Sequence, residues 1–324
     1  MKKQITILIL VLLPLVGFGQ RKLVTTSDGF PIVFLKNSRN YALIKSTVSS
    51  DSLMLSLNAK NISPDSLTYN STGYYVISSS GVNVNIDGSS DVVIGNSVRF
   101  GSPTTGSIYQ IVDTGATAAN LVLNKTFSGS TSDEFFWGGV GKWYDESTEE
   151  NNALQTTATQ QPKLLWAESN SACVNFDGID DRFIITEIVN NNNYSIYFKL
   201  KRNQLTTLQC IFGHNVNVYS RFMYGLDNSI LFETNTNANG FSTVGTAFTN
   251  ITTFDDYVFN VTENEASLYY ENNSIFIDNT TLTDAFSINK IGSTAALYYI
   301  NADIKEIMIF KRSLSREEIQ ILSE

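Results

Sequence analysis

The 324-residue chain holds one histidine, two cysteines and five prolines, and each scarcity narrows what it can do. With His214 the single imidazole and Cys173 and Cys210 the only thiols, most zinc sites and most His-based triads are excluded before any motif is sought. Charge is scarce too, at 16% of residues, and the net −9 with an isoelectric point near 4.7 repels a phosphate backbone. No basic run follows the first few residues, so nucleic acid is not an expected partner. What replaces charge is Ser, Thr and Asn, about 30% of the chain, side chains suited to half-exposed strands and polar loops. With 42% hydrophobic and 12% aromatic residues there is material for a sizeable core, and at this length for two domains. The balance points to an all-β protein of secreted type.

The one long apolar run lies at the start. Lys2 and Lys3 open it, Ile5 to Val16 form the apolar stretch, and Gly17-Phe18-Gly19 supply a small-x-small cleavage site before Gln20. Residues 1–19 therefore read as a signal peptide, and removing both lysines takes the charge from −9 to −11. The stretch falls short of the roughly 20 residues that cross a bilayer, and Pro14 interrupts its end, so no stable span is expected after cleavage. No cysteine follows it to carry a lipid anchor. The expected location is extracellular, free or at the cell surface. In an oxidising compartment Cys173 and Cys210 either pair as a disulfide or stay apart as two buried thiols.

From residue 20 to 136, short alternating apolar runs (Pro31 to Leu35, Ser52 to Leu57, Tyr74 to Ile77, Val92 to Phe100, Leu121 to Phe127) are separated by Gly, Asn, Asp and Ser clusters. This predicts a small β-rich domain with tight turns, in which Gly81 to Asp91 is a boundary or a long turn. Trp137-Gly-Gly-Val-Gly-Lys142 reads as a Gly-rich linker. A phosphate loop is not expected there, because the residues that follow, Tyr144 to Glu150, are acidic and lack a helix signal. Beyond it, Tyr194, Ile196, Phe198 and Leu200 alternate with Ser195, Tyr197, Lys199 and Lys201, the pattern of a strand with one face in a core. Similar runs follow at Val216 to Tyr224, Tyr257 to Val261, Ala266 to Tyr270 and Ile304 to Phe310. Ser315 and Glu318 form a capping pattern before a short final helix.

Several landmarks of residues 143–324 occur together in order. They are Trp143-x-Asp145-x-Ser147, Asn151-x-Ala153-x-Gln155, Gln161-Pro162, Phe176-Asp177-Gly178-x-Asp180-Asp181, Leu268-Tyr-Tyr-Glu-Asn272-Asn273, Ile291-Gly292-Ser293 and Asp303 to Phe310 followed by Ser313-Leu314-Ser315 and Glu318-Ile319. Together they resemble the laminin-G-like, concanavalin A-like lectin/glucanase domain of secreted bacterial proteins. The resemblance implies a two-sheet antiparallel jelly-roll sandwich, and the alternation above is consistent with it. Asn273 stands where that family's hairpin has glycine, and Ala302 where glycine often precedes the closing strand.

Glycoside hydrolases of this superfamily use two carboxylates across the scissile bond. The family's E-x-D-x-x-E motif is absent, and Glu263 and Glu265 flank Asn264 in an expected hairpin turn. His214 sits where a turn begins and is expected to be solvent-facing or hydrogen-bonded, and no G-x-S-x-G elbow is present. Asp177, Asp180 and Asp181 place three carboxylates in five residues, which either ligate calcium or accept the turn's own backbone N–H groups. For sugars, an aromatic ring under the apolar pyranose face with polar groups at its edge is the arrangement to seek. Tyr219 and Arg221 share one face of their strand, with Asn235, Asn237 and Asn239 as a rim. The expectation is a non-enzymatic, lectin-like protein binding glycan or a glycosylated partner. The alternatives are a structural or adhesive subunit that packs against neighbouring protein subunits and, more remotely, a glycoside hydrolase.

Overall fold

The computed structural model describes residues 24–25, 31–32, 52–88, 94–115, 117, 119–167, 171–190, 193–216, 220–226, 229–233, 241–242, 251–270, 273–278, 285–295 and 297–323. The chain divides into Met1–Ile44 and Lys45–Glu324. In the first unit β1 (Val24–Thr25) pairs antiparallel with β2 (Pro31–Ile32).

The second unit begins with β3 (Leu53–Asn58), β4 (Thr68–Ser80), β5 (Asn83–Ile86), β6 (Ser97–Phe100), β7 (Tyr109–Thr114), β8 (Asn120–Leu123) and β9 (Glu134–Gly139). It continues with β10 (Lys142–Trp143), β11 (Ala153–Leu154), β12 (Lys163–Ala167), β13 (Ser171–Asp177), β14 (Phe183–Asn190), β15 (Tyr194–Arg202) and β16 (Gln209–Gly213). Then follow β17 (Arg221–Tyr224), β18 (Ile230–Glu233), β19 (Phe241–Ser242), β20 (Asp255–Val261), β21 (Ala266–Tyr270), β22 (Asn273–Asp278), β23 (Phe286–Ile291), β24 (Asn301–Phe310) and the helix α1 (Arg316–Leu322). The strands form two antiparallel sheets packed as a sandwich. The smaller runs β10-β11-β14-β23-β16-β17-β18-β19, and the larger runs from β22 through β21, β20, β15, β24, β13, β12 and β9 into β4, β5, β8, β7 and β6. No helix among the described residues is long and apolar enough to cross a membrane.

Strand β15 shows why these residues make a sandwich. Its alternation puts Ile196, Phe198 and Leu200 into the core, while Tyr197, Lys199 and Lys201 face the other way, as period-two patterning requires. Phe198 stacks on Tyr257 at 5.0 Å and meets Phe222 of the smaller sheet edge-on at 5.4 Å. Phe232 lies 4.5 Å from Phe259, so aromatic rings from both sheets interlock in one core. The capping pattern holds as well. The Ser315 side chain accepts from the Glu318 N–H, and the Glu318 carboxylate accepts from the Ser315 N–H, which starts α1.

The N-terminal strands are less separate than the sequence suggests. Strand β3 pairs with β24 over Asn58↔Glu306 to Leu53↔Phe310, and Leu55, Leu57, Leu67 and Tyr69 join the sandwich core. A second, smaller core holds Val76, Val84, Val98, Ile111, Leu121 and Leu123, with an aromatic cluster of Phe100, Tyr109, Phe127 and Phe135. The long strand β4 belongs to both, its first half pairing with β9 and its second with β5. The segment Gly81 to Asp91, read as a boundary or long turn, carries β5.

The stretch 137–142, read as a linker, contains the end of β9 and the start of β10. Its glycines serve close packing. A Cβ on Gly138 would lie 2.8 Å from the Leu67 side chain and 3.0 Å from the Ser97 carbonyl, and one on Gly139 would lie 2.5 Å from Gln161 Oε1. Composition alone does not separate a glycine kept for closeness from one kept for freedom.

Candidate functional site

The turn from β13 to β14 carries the three predicted carboxylates. Gly178 sits at φ +79°, and a Cβ there would also meet the Asn301 side chain at 2.8 Å, so glycine is required on two counts. Asp177 Oδ1 accepts from the N–H groups of Ile179 (2.8 Å) and Asp180 (3.4 Å), while Asp181 Oδ2 accepts from the Asp177 N–H (3.0 Å). One oxygen from each carboxylate falls within 4.8 Å of the others. Burial and the neighbouring Asp177 push the Asp181 carboxyl up to about 7, and burial raises Asp180 as well. The carboxylates act first as acceptors for their own turn. Three side-chain oxygens are fewer than the six to eight that calcium takes, so a cation would need further ligands here.

Arg182 follows at once. Its guanidinium donates to the Tyr299 hydroxyl at 2.9 Å and to Gln160 Oε1 at 2.7 Å, fixing Tyr299 from behind. The adjacent Tyr298 holds φ +57°, a left-handed conformation that costs a non-glycine residue roughly 1 kcal/mol. Its carbonyl is pinned by the Cys210 N–H at 2.7 Å. Arg221 stands opposite Glu233 in the β17–β18 register, forms an ion pair with it, and places its guanidinium 5.7 Å from the Tyr298 ring centre. Both tyrosines are thus positioned by arginines with other fixed partners.

A third segment completes the ring. Gln209, fully buried, donates to the Gln204 carbonyl (2.8 Å) and Thr207 Oγ1 (3.3 Å) and accepts from the Asn301 N–H (3.2 Å). This anchors the loop 203–208 beside the tyrosines. Between the three segments lies an open concavity of about 410 Å³, lined by Gly178, Gln204, Thr206, Thr207, Leu208, Leu226, Tyr298 and Tyr299. Its composition, aromatic rings with hydroxyl and amide groups at the rim, suits a ligand that is apolar on one side and hydroxylated at its edge.

The acidic turn borders the concavity through Gly178, and Arg221 touches it through Tyr298, though as a paired support and not as the solvent-facing ligand group expected of it. Tyr219, Asn235, Asn237 and Asn239 lie outside the described residues. Tyr298, Tyr299, Gln204 and Arg182 were missed. Nothing in the sequence from Leu297 to Ile300 announces a left-handed tyrosine.

Cys173, in the larger sheet, and Cys210, in the smaller, are free buried thiols, so the disulfide alternative gives way to the buried-thiol one. Burial pushes Cys173 up to about 12 and raises Cys210, which leaves both as unreactive thiols at neutral pH. His214 Nδ1 accepts from the Val216 N–H (3.1 Å) and Nε2 lies 3.3 Å from Glu187 Oε1. Glu263 and Glu265 flank the turn of the β20–β21 hairpin, which closes through the Thr262 N–H on the Glu265 carbonyl.

No family model matches the chain, and no curated protein matches it. Among solved structures it is similar to domain 4 of an extracellular GH43 arabinanase from Geobacillus stearothermophilus, in complex with arabinotriose, at 17% identity over 51% of this chain and 82% of that one, with a TM-score of 0.41. The ligand-binding domain of botulinum neurotoxin serotype D in complex with N-acetylneuraminic acid matches at 12% identity over 56% and 47%, with a TM-score of 0.44. A Trypanosoma rangeli sialidase in complex with sialic acid matches at 11% identity over 73% and 34%, with a TM-score of 0.41. The chain thus spans under half the length of the toxin domain and about a third of the sialidase.

Proposed function

We propose that this chain is a secreted, non-enzymatic, lectin-like recognition protein of laminin-G-like type, and that the Tyr298–Tyr299 concavity binds a glycan. The observation that carries the reading is the pair of tyrosines held by Arg182 and Arg221 beside Gln204, Thr206 and Thr207. A pyranose presents an apolar face to a fixed ring and hydroxyls to the amide and hydroxyl groups around it. Keeping Tyr298 left-handed has a conformational cost, and such costs concentrate where a side chain must be aimed. The non-enzymatic part rests on the missing family acid pair and on the placement of Glu263 and Glu265 at a hairpin turn. Export rests on residues 1–19.

The test is binding of the purified chain from Gln20 onward to a broad glycan and polysaccharide panel, with calcium and with chelator, while released reducing sugar is followed. Binding without release, lost by about tenfold or more in Tyr298→Ala and Tyr299→Ala, supports the reading. Sugar release would make the protein a hydrolase. Silence across the panel, with both variants folded, would reject it.

A second reading, assembly with neighbouring subunits, draws on a different feature. Tyr75 and Ile77 on β4 and Val112 on β7 are between 44% and 59% exposed, and β22 closes the order of the larger sheet with β21 as its partner. Light scattering at rising concentration separates the two readings, since only assembly predicts a growing mass.

A further inference from the structure

The outward face of the larger sheet carries a second concavity, of about 340 Å³, which shares no lining residue with the first. Its floor is apolar where Leu165 and Phe254 line it, and Ile94, 52% exposed, forms one wall. Its polar side is a row of side chains at alternate positions on β13, β15 and β24. Asp303 accepts from Asn175 (2.6 Å) and Asn203 (3.0 Å) on one oxygen and pairs with Lys201 at 2.6 Å on the other. Next to it Lys199 pairs with Asp256 at 2.7 Å. Both aspartates are therefore engaged, while each asparagine keeps a second N–H and a carbonyl oxygen for a ligand.

Lys305 breaks the balance. It lies two residues beyond Asp303, and its ammonium sits 3.8 Å from the centre of the Phe254 ring, with Lys201 on the same ring at 5.6 Å. Among the described residues no carboxylate pairs with it. Three lysines thus face two aspartates on a protein whose overall charge is −9. Burial and the neighbouring Lys199 and Lys201 lower the affinity of Lys305 for its proton against the opposing influence of Asp256, and a bound anion would relieve that penalty.

We infer that this groove is a second binding site, distinct in its lining from the tyrosine concavity, and that it takes a carboxylate-bearing pyranose such as a uronic acid residue of an acidic polysaccharide. The carboxylate would meet Lys305 at the border of the groove, where the ammonium lies against the Phe254 ring that lines it. Asn175 and Asn203 would exchange hydrogen bonds with ring hydroxyls, and Phe254, Leu165 and Ile94 would cover the apolar side. A volume near the lower end of small-ligand sites suits one or two sugar rings.

The test is calorimetric titration of the full chain with oligogalacturonate at 0.15 M salt, alongside its carboxyl-reduced neutral counterpart and a glutamate-rich peptide. Oligogalacturonate should bind, the reduced oligomer and the peptide should not, and Lys305→Gln should weaken binding about tenfold. Equal binding of the reduced oligomer, tighter binding of the peptide, unchanged affinity in a folded Lys305→Gln, or no heat at millimolar oligomer would overturn the inference. Should the variant fail to fold, acetylation of the wild-type chain read by mass spectrometry decides. Lys305 should be protected by oligogalacturonate and not by the reduced form, and absence of protection would reject the site.

Discussion

Glu306 sits on β24 with its side chain buried and Oε1 without a hydrogen-bond partner. Burial pushes its carboxyl up to about 8, and Asp181 reaches about 7 for the same reason with Asp177 added. In the folded protein both groups hold a proton that the unfolded chain has already released, so stability falls as pH rises from the ordinary carboxylate range toward 8 and levels off above it. Thermal melts should therefore show a higher Tm at pH 5.5 than at pH 8. Glu306→Gln, which mimics the protonated acid, should be more stable than wild type at pH 8.5 and flatten the profile; an unchanged profile would show that Glu306 is ionised and solvated. Arg182 supplies a different residue-scale prediction. It reaches Tyr299 and Gln160 without lining the concavity, so it is a positioning residue. Arg182→Met should weaken glycan binding several-fold and lower the Tm by several degrees, because it removes two part-buried hydrogen bonds from a charged donor, each worth about 1.5–3 kcal/mol.

Among the elements, the motif that opens the family-like region turns out to be a clamp. Asp145 accepts from the N–H groups of Ser56 (2.7 Å), Ser147 (2.9 Å) and Asn151 (2.8 Å) and from the Ser147 hydroxyl (2.6 Å), while Asn151 donates to the Met54 carbonyl at 2.9 Å. Strand β3 is thereby tied to the sandwich by the residues that made the sequence look like a sandwich. Asp145→Ala should cost about 3 kcal/mol and expose the β3 amides to hydrogen exchange before the rest of the sheet. Gly138→Ala should cost at least about 1 kcal/mol through overpacking against Leu67 and Ser97, whereas in a linker it would cost nothing. These two cases mark what the sequence made legible. Alternation in β15 and the Ser315–Glu318 cap are local patterns with one physical meaning, and both appear as expected. The role of Gly138 depends on which strand lies above it, and the aim of Tyr298 depends on a backbone angle set by the Cys210 N–H and the flanking loops. Such long-range facts leave no periodic trace, so the acidic turn at the concavity's edge could be read while the tyrosines beside it could not.

At the scale of the molecule, the question is where the folding unit begins. The family-like landmarks start at Trp143, which suggests a sandwich able to stand alone from there. In the structure β24 is edged by β3 along Glu306 to Phe310 and by β13 along Asn301 to Ile304, so both partners are needed to cover its length. Leu55, Leu57, Ile62, Leu67, Tyr69 and Phe136 are all buried in the same core as Trp143, Phe176 and Phe198. Removing them would take six side chains out of the core, and at roughly 1.5–3 kcal/mol for each buried large apolar group the loss is as large as the 5–15 kcal/mol that typically holds a domain together. A fragment of residues 140–324 should therefore aggregate or bind hydrophobic dye as a partly folded species, and one of residues 45–324 should unfold in a sharp transition. The smaller core adds a second expectation for the longer fragment. Because β4 runs unbroken from one core to the other, a cavity-forming change in the smaller core, Phe135→Ala, should lower the melting temperature of the whole unit by several degrees and not split the transition in two. Two separated transitions in calorimetry would instead make residues 73–135 a domain in their own right, joined to the sandwich by β4 and β9 alone.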